Sequence, residues 1–223
     1  MEKELCVGSL EAARLAADLN LDRIETCIAL EQGGLTPSIA MVNWIAETFD
    51  LPQYVLIRQR AGGFVYSYDE IIVMREQINQ FQNSEVEGFV IGALTNSNEI
   101  DLDTIEIWKR ASKDKKLVFH RAFDEIVDWK KAIDQLIKLG FIRVLTSPKV
   151  GGMERIKELQ TYASGRIEVM PAGGVKPEMI EDFKSIGLTS FHFSGTQLDI
   201  HSPNSVFSAE VLIPKRELIS HYL

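Results

Sequence analysis

The amino-acid sequence predicts a single (β/α)8 barrel of the TIM type, in the α/β class. Short β-rich runs alternate with helical patterns, and the sequence predicts eight strands with seven helices between them. Strict alternation of this kind indicates parallel strands joined by helical crossovers. No linker or low-complexity segment divides the 223 residues, a length at the small end for this fold. An open doubly wound sheet is the competing architecture, but it usually has about five or six strands.

The predicted strands are short and apolar. They lie near Glu4–Val7, Arg23–Thr26, Tyr54–Ile57, Gly88–Ile91, Leu117–His120, Arg143–Thr146, Glu168–Ala172 and Ser190–Ser194. Two of the helices between them have clear ends, since Ser9 and Asp128 are good N-caps and Gly140 is a natural C-terminal stop. The segments LNLDRIETC (19–27) and LGFIRVLTS (139–147) resemble each other, each with an arginine at the start of its strand. Common helix-to-strand loop chemistry explains this likeness better than a duplication does.

Composition excludes several classes of protein. The formal charge of -8 argues against a nucleic-acid partner, which usually requires a basic surface. No apolar run reaches the roughly 18 residues of a membrane helix, and the N-terminus does not resemble a signal peptide. We therefore expect a cytoplasmic protein with no membrane partner, whose cysteines are thiols.

Polar residues follow the fifth strand directly, where the active sites of such barrels lie. An apolar strand is followed at its end by His120, Arg121 and Asp124. Burying charged groups there is costly unless they are paired with other groups or with a ligand. We expect His120 and Arg121 to help build an anion-binding pocket. Asp124 is expected to orient the loop through an arginine or backbone N–H groups.

Two glutamates are predicted to point into the barrel. Side chains alternate along a strand, and an outward carboxylate at Glu4 or Glu25 would be buried against apolar helices. We place both in one inward cluster with Arg58 and His120, with nearby arginines neutralising the carboxylates. As a catalytic site, this cluster would use a glutamate as general base and His120 as proton donor. The alternative is a group of structural ion pairs that holds the strand ends in register.

Glycines after the seventh strand predict an anion site. Gly173 and Gly174 let backbone N–H groups approach a ligand, and the next helix begins near Pro177. Loops after strands seven and eight frequently hold phosphate in this fold, so Ser194 and Gly195 would complete the site. The alternative is a tight turn with no ligand.

The loop after the third strand carries two arginines. We expect Arg58 and Arg60 to contact an anionic ligand at the same mouth. The alternative is that this loop covers the barrel or meets a partner chain.

The two cysteines share the inward parity of the two glutamates. Cys6 and Cys27 are predicted to lie on adjacent strands, and two thiolates suit a soft ion such as Cu(I). Their spacing does not indicate a zinc site. The alternative is that they are small core residues, a common role for free cysteine.

Taken together, these residues resemble the CutC copper homeostasis family. Six segments follow in order along the chain: ELC (4–6), RIETC (23–27), GGLTPS (33–38), FHRAFD (119–124), LGFIRVLTS (139–147) and MPAGGV (170–175). The resemblance implies a cytosolic TIM-like barrel, linked to intracellular copper and associated as a homo-oligomer, a dimer or higher. It also places the family's proposed copper ligands at Cys6 and Cys27.

The likeness is incomplete at some positions. The family's arginine-proline-arginine reads RQR at 58–60, and the usual acid before the last-strand histidine is Ser190 or Phe191, which weakens a role for His192. The tail 197–223 lies beyond the shared segments. Its apolar residues predict packing on the barrel or on a partner subunit; they are Val206, Phe207, Val211, Leu212 and Ile213.

Two kinds of function follow from these observations. The resemblance favours a copper homeostasis protein that binds Cu(I) through two cysteines. The pocket chemistry favours an enzyme or a sensor that acts on a small anionic or phosphorylated metabolite at the barrel mouth.

Overall fold

Eight parallel strands form the inner wall of the computed structural model, which describes residues 1–201 and 209–223. Neighbouring strands follow the order β7-β6-β5-β4-β3-β2-β1-β8. Their bounds are β1 (Glu2–Val7), β2 (Arg23–Thr26), β3 (Gln53–Leu56), β4 (Gly88–Ile91), β5 (Lys116–Phe119), β6 (Arg143–Thr146), β7 (Glu168–Pro171) and β8 (Ser190–Phe193). The predicted TIM-like barrel is confirmed.

Seven helices connect these strands and cover the outside of the barrel. They are α1 (Leu10–Asp18), α2 (Ile39–Thr48), α3 (Tyr68–Gln80), α4 (Leu102–Ser112), α5 (Trp129–Leu139), α6 (Gly152–Ala163) and α7 (Ile180–Ser185). Ser9 caps α1 and Asp128 caps α5, each side-chain oxygen accepting a hydrogen bond from a first-turn N–H. Gly140 ends α5 in the left-handed conformation, as predicted.

Strand alternation divides the apolar residues into two layers. The outer layer lies between strands and helices and includes Leu5, Ile24 and Phe119. The inner layer fills the barrel with residues from the opposite strand faces: Cys6, Cys27, Tyr54, Leu56, Val90, Val118, Leu145, Met170 and Ala172. Both cysteines therefore lie inside the barrel, on the face that the parity argument predicts.

Side chains connect the two strands at which the ring closes. Within residues 1–201 and 209–223, the strand pairings include no backbone ladder between β7 and β8. Instead Ser190 of β8 donates a hydrogen bond to Glu168 of β7. Glu168 also accepts from Arg143 of β6, with Nε 2.6 Å from Oε2, and from Arg23 of β2 at 3.3 Å. One carboxylate thus links four strands where the barrel meets itself.

The tail begins with an antiparallel hairpin of β9 (Thr196–His201) and β10 (Ala209–Pro214), followed by α8 (Arg216–Ser220). Ile219 is fully buried, and the Tyr222 ring stacks on Phe193 with centroids 4.2 Å apart. Val206 and Phe207 lie outside the described residues. No helix in the described part of the chain has both the length and the apolar character needed to cross a bilayer.

Candidate functional site

A cavity of about 600 Å³ opens at the carboxyl ends of the barrel strands. It brings together most of the residues that the sequence analysis singled out. Those on its wall are Cys6, Glu25, Arg58, His120, Arg121, Asp124, Gly173, Gly174 and Ser194. The wall described by the structure also includes His192, Phe64 and Tyr222, but not Glu4, Cys27, Arg60 or Gly195.

Two thiols lie side by side near the cavity floor. The Sγ atoms of Cys6 and Cys27 are 3.6 Å apart, and both residues are buried free cysteines. Cys6 also donates a hydrogen bond to Glu25, with Sγ 3.7 Å from Oε1. The contact with Cys27 and burial together raise the pKa of the Cys6 thiol well above its ordinary value. Cys6 is therefore protonated at neutral pH until something displaces its proton.

A histidine that the sequence analysis discounted completes this cluster. His192 of β8 is in register with Glu4 of β1, and its Nδ1 lies 2.8 Å from Glu4 Oε1. Burial disfavours the charged imidazole, but Glu25, Cys6 and Glu4 outweigh it and raise the pKa of His192 well above its ordinary value. Ligand-capable atoms of Cys6, Glu25 and His192 all lie within 4.8 Å of one another. The arrangement can hold a metal ion.

Glu4 lies one layer deeper than predicted and has different partners. Its Oε2 is 2.7 Å from Arg23 Nε and 3.4 Å from Arg143 Nη1, and the carboxylate is almost completely buried. Burial alone would raise the pKa of Glu4, but His192 and the two arginines lower it to about 2. The predicted cluster is therefore incorrect for Glu4, because strand register places Arg23, not Arg58, opposite it. Glu25, Arg58 and His120 do line one cavity.

Glu25 lies above this ion-paired layer, on the cavity wall. Burial, together with the nearby Glu4, raises its pKa, while the charge of His192 opposes that shift. Its Oε2 is buried with no hydrogen-bond partner among the described residues. Glu25 is thus a carboxylate with one oxygen still available to a ligand or an ion.

Arg58 joins the two long glycine-rich loops. Its guanidinium donates hydrogen bonds to the carbonyls of Gln32, Gly34 and Gly62, at 2.8–3.0 Å. Arg60 differs from the prediction that it lies with Arg58 at the mouth. Its Nε is 2.5 Å from a carboxylate oxygen of Glu70, which belongs to the capping box of α3, and it turns away from the cavity.

His120 is buried as a neutral imidazole. Its Nδ1 accepts a hydrogen bond from the Ala122 N–H at 3.1 Å, so the neutral ring carries its proton on Nε2. The imidazole packs against the Phe64 ring, with centroids 4.8 Å apart. The Arg58 guanidinium lies over that Phe64 ring, 5.4 Å from its centroid. Burial and the positive charge of Arg58 lower the pKa of His120 to about 3.

Asp124 holds the loop after β5 in place. Its carboxylate accepts hydrogen bonds from Thr146 Oγ1 at 2.7 Å, from the Ser147 N–H at 3.0 Å and from Arg121 Nε at 3.0 Å. The expected arginine and backbone partners are both present. Asp124 therefore also fixes the position of the Arg121 guanidinium.

Cationic side chains cover the glycine pair after β7. Gly173 and Gly174 are both left-handed, and a β-carbon at Gly173 would lie 2.6 Å from Arg121 Nη1. A β-carbon at Gly174 would clash with the Lys149 side chain. The glycines therefore leave room for two cationic side chains. The next helical segment begins at Pro177, as predicted, with a 3-10 turn (Pro177–Met179) that continues into α7.

Gly195 does not join this group. A β-carbon there would collide with Ile219 of α8, so this glycine permits the tail to pack closely against the end of β8. Ser194, its neighbour, does line the cavity.

Four polar residues of the barrel interior were not among the predicted site residues: Arg23, Arg143, Glu168 and His192. A signal was present for two of them. Arg23 shares the inward parity of Glu25, and Arg143 occupies the matching place in the similar segment 139–147. Each begins a strand, where an inward arginine can reach the carboxylates of its neighbours.

Comparisons with known proteins agree with this geometry. A CutC family profile matches residues 1–197. A CutC family protein of Pasteurella multocida is 37% identical over 200 residues, covering 87% of this chain and 82% of that protein. The human copper homeostasis protein cutC homolog is 38% identical over 196 residues, covering 86% of this chain and 72% of that protein.

A solved structure shows the same likeness in three dimensions. The crystal structure of CutC from Streptococcus agalactiae superposes with a TM-score of 0.81 and 35% identity. The match covers 86% of this chain and 97% of that one. With the family profile spanning most of the sequence and the barrel matching in both topology and length, this chain belongs to the CutC family.

Proposed function

We propose that the protein is a cytoplasmic copper homeostasis protein that binds Cu(I) through Cys6 and Cys27. The observation that carries this proposal is the pair of buried free thiols with Sγ atoms 3.6 Å apart. Two sulfur ligands about 2.3 Å from one metal ion can lie up to about 4.6 Å apart, so the spacing suits a single ion. Paired thiolates are soft ligands of the kind that Cu(I) prefers. The name of the human relative supports a link to copper.

Titration with Cu(I) tests this proposal directly. The reduced protein should compete with a chromophoric Cu(I) chelator and bind about one ion per chain. Cys6→Ser and Cys27→Ser should each weaken binding at least tenfold, about 1.4 kcal/mol, because each removes one of two thiolate ligands. Met153→Leu is the matched control, since it removes a sulfur on α6 far from the pair. Undiminished Cu(I) affinity in the double cysteine variant would contradict the proposal.

A second candidate function is an enzyme or sensor for a small anionic or phosphorylated metabolite in the same cavity. Unsatisfied polar atoms favour it: Glu25 Oε2, Arg58 Nε and His120 Nε2 have no hydrogen-bond partner among the described residues. Buried polar groups are normally paired, so a ligand is a natural partner. In this function Glu25 is the general base, His120 donates a hydrogen bond to the ligand from Nε2, and Arg58 is a ligand for the anion.

Thermal unfolding in inorganic phosphate tests the anion site of this second function. A ligand that binds only the folded state at a hundredfold excess over Kd stabilises by about 2.7 kcal/mol. Arg121→Met should abolish the rise in melting temperature, because Arg121 lies directly over Gly173. Arg75→Met is the control, since Arg75 is an exposed arginine paired with its neighbour Glu76. If tens of millimolar phosphate leave the melting temperature of the wild-type protein unchanged, these glycines do not bind an anion.

A further inference from the structure

The cavity floor offers more donor atoms than the two thiols. Ligand-capable atoms of Cys6, Glu25 and His192 lie within 4.8 Å of one another, and Cys27 Sγ is 3.6 Å from Cys6 Sγ. All four residues are buried. Cys6 Sγ is therefore close both to the second thiol and to the donor atoms of Glu25 and His192.

His192 is oriented in the way that metal-binding histidines usually are. Such a histidine almost always donates its other ring N–H to a carboxylate, which fixes the ring and its tautomer. Here His192 Nδ1 lies 2.8 Å from Glu4 Oε1. Glu4 is held in turn by Arg23 and Arg143 through its second oxygen, so it stays an acceptor. With Nδ1 committed to Glu4, Nε2 is the nitrogen that can bind an ion.

We propose that His192 Nε2 is the third ligand of a three-coordinate Cu(I) site with Cys6 and Cys27, and that Glu4 is the positioning residue for His192. This proposal rests on the Cu(I) function proposed above and extends its ligand set. Imidazole is a good ligand for copper, whereas a carboxylate is a hard oxygen ligand that Cu(I) does not prefer. Glu25 therefore stays outside the Cu(I) coordination sphere and accepts the hydrogen bond from Cys6 in the metal-free state.

The same four residues make a different prediction for Zn²⁺. Zinc takes sulfur, nitrogen and carboxylate ligands together in a tetrahedral site. Glu25→Gln should weaken binding of Zn²⁺ much more than binding of Cu(I). An equal loss for both ions would place Glu25 in the Cu(I) site and overturn the three-coordinate assignment.

X-ray absorption of the Cu(I)-loaded wild-type protein gives the first test, because it needs no variant. The expected spectrum has two sulfur neighbours and one imidazole nitrogen. A two-coordinate spectrum with sulfur alone would overturn the role of His192, while leaving the cysteine pair as the copper site. Absence of sulfur neighbours would instead contradict the proposed function itself.

Variants then separate ligand from positioning residue. His192→Gln should raise the Kd for Cu(I) by at least tenfold and remove the imidazole signal while both sulfurs remain. Glu4→Gln should raise the Kd by about 10–100-fold, the usual effect of losing a residue that orients a ligand, yet retain the imidazole signal. His221→Gln, at an exposed histidine, is the matched control. Unchanged affinity in folded His192→Gln would overturn the proposal.

Discussion

Replacing Arg23 with methionine is expected to lower the free energy of unfolding by about 3–5 kcal/mol, the usual cost of leaving a buried charge without its partner. The Arg23 guanidinium contacts three carboxylates, those of Glu2, Glu4 and Glu168. Glu4 is almost completely buried and cannot recover its lost partner from water. The variant therefore leaves the barrel interior with an excess of negative charge.

A double-mutant cycle measured by denaturant unfolding checks this expectation. Glu4→Gln in the Arg23→Met background should recover a large part of the loss, because it removes the carboxylate that has become unpaired. Arg166→Met is the control, since it breaks an exposed ion pair with Asp134 and should change stability little. If the Arg23→Met variant has the same denaturant midpoint as the wild type, the ion pairs of Arg23 do not stabilise the fold.

Acidification should destabilise the protein through His120. Burial and Arg58 lower the pKa of this histidine to about 3 in the folded state, from 6.5. Below the ordinary histidine pKa, His120 is protonated in the unfolded chain but stays neutral in the folded protein. The free energy of unfolding therefore decreases as the pH falls. Between about pH 7 and about pH 4.5 this one group should lower the free energy of unfolding by about 2.5 kcal/mol.

Denaturant midpoints at both pH values, for wild type and for His120→Gln, measure this contribution. The variant should lose less stability on acidification by about the amount assigned to His120. His221→Gln, which changes an exposed histidine, should behave as wild type. A variant as acid-sensitive as the wild type would mean that His120 is already protonated in the folded protein, or hydrated.

The fold was predictable because β-α alternation and strand parity are local properties of the sequence. Parity correctly places Glu25, Cys6 and Cys27 inside the barrel. Parity does not reveal how far along the barrel axis a side chain lies. That position depends on the register between strands that can be far apart in the chain. Glu4 and His192 are 188 residues apart in sequence and yet lie side by side on β1 and β8.

Parity also fails beyond the end of a strand, as Arg60 shows. Arg58 and Arg60 share a parity, and the prediction placed both at the cavity mouth. Because β3 ends at Leu56, alternation no longer fixes the direction of Arg60. The carboxylate of Glu70 then determines where this arginine lies. Such a contact comes from the path of a long loop, which no periodicity in the sequence predicts.

The side-chain closure between β7 and β8 has a consequence for self-association. Because β7 and β8 share no backbone ladder in the described residues, the barrel is a rolled sheet whose two edges are β7 and β8. The edges of a sheet carry N–H and C=O groups that can pair with another chain. Glu168 and its contacts with Ser190, Arg23 and Arg143 hold these two edges together. A substitution at Glu168 would therefore do more than weaken the fold, because it would offer two parallel edge strands to neighbouring molecules and favour aggregation through strand addition.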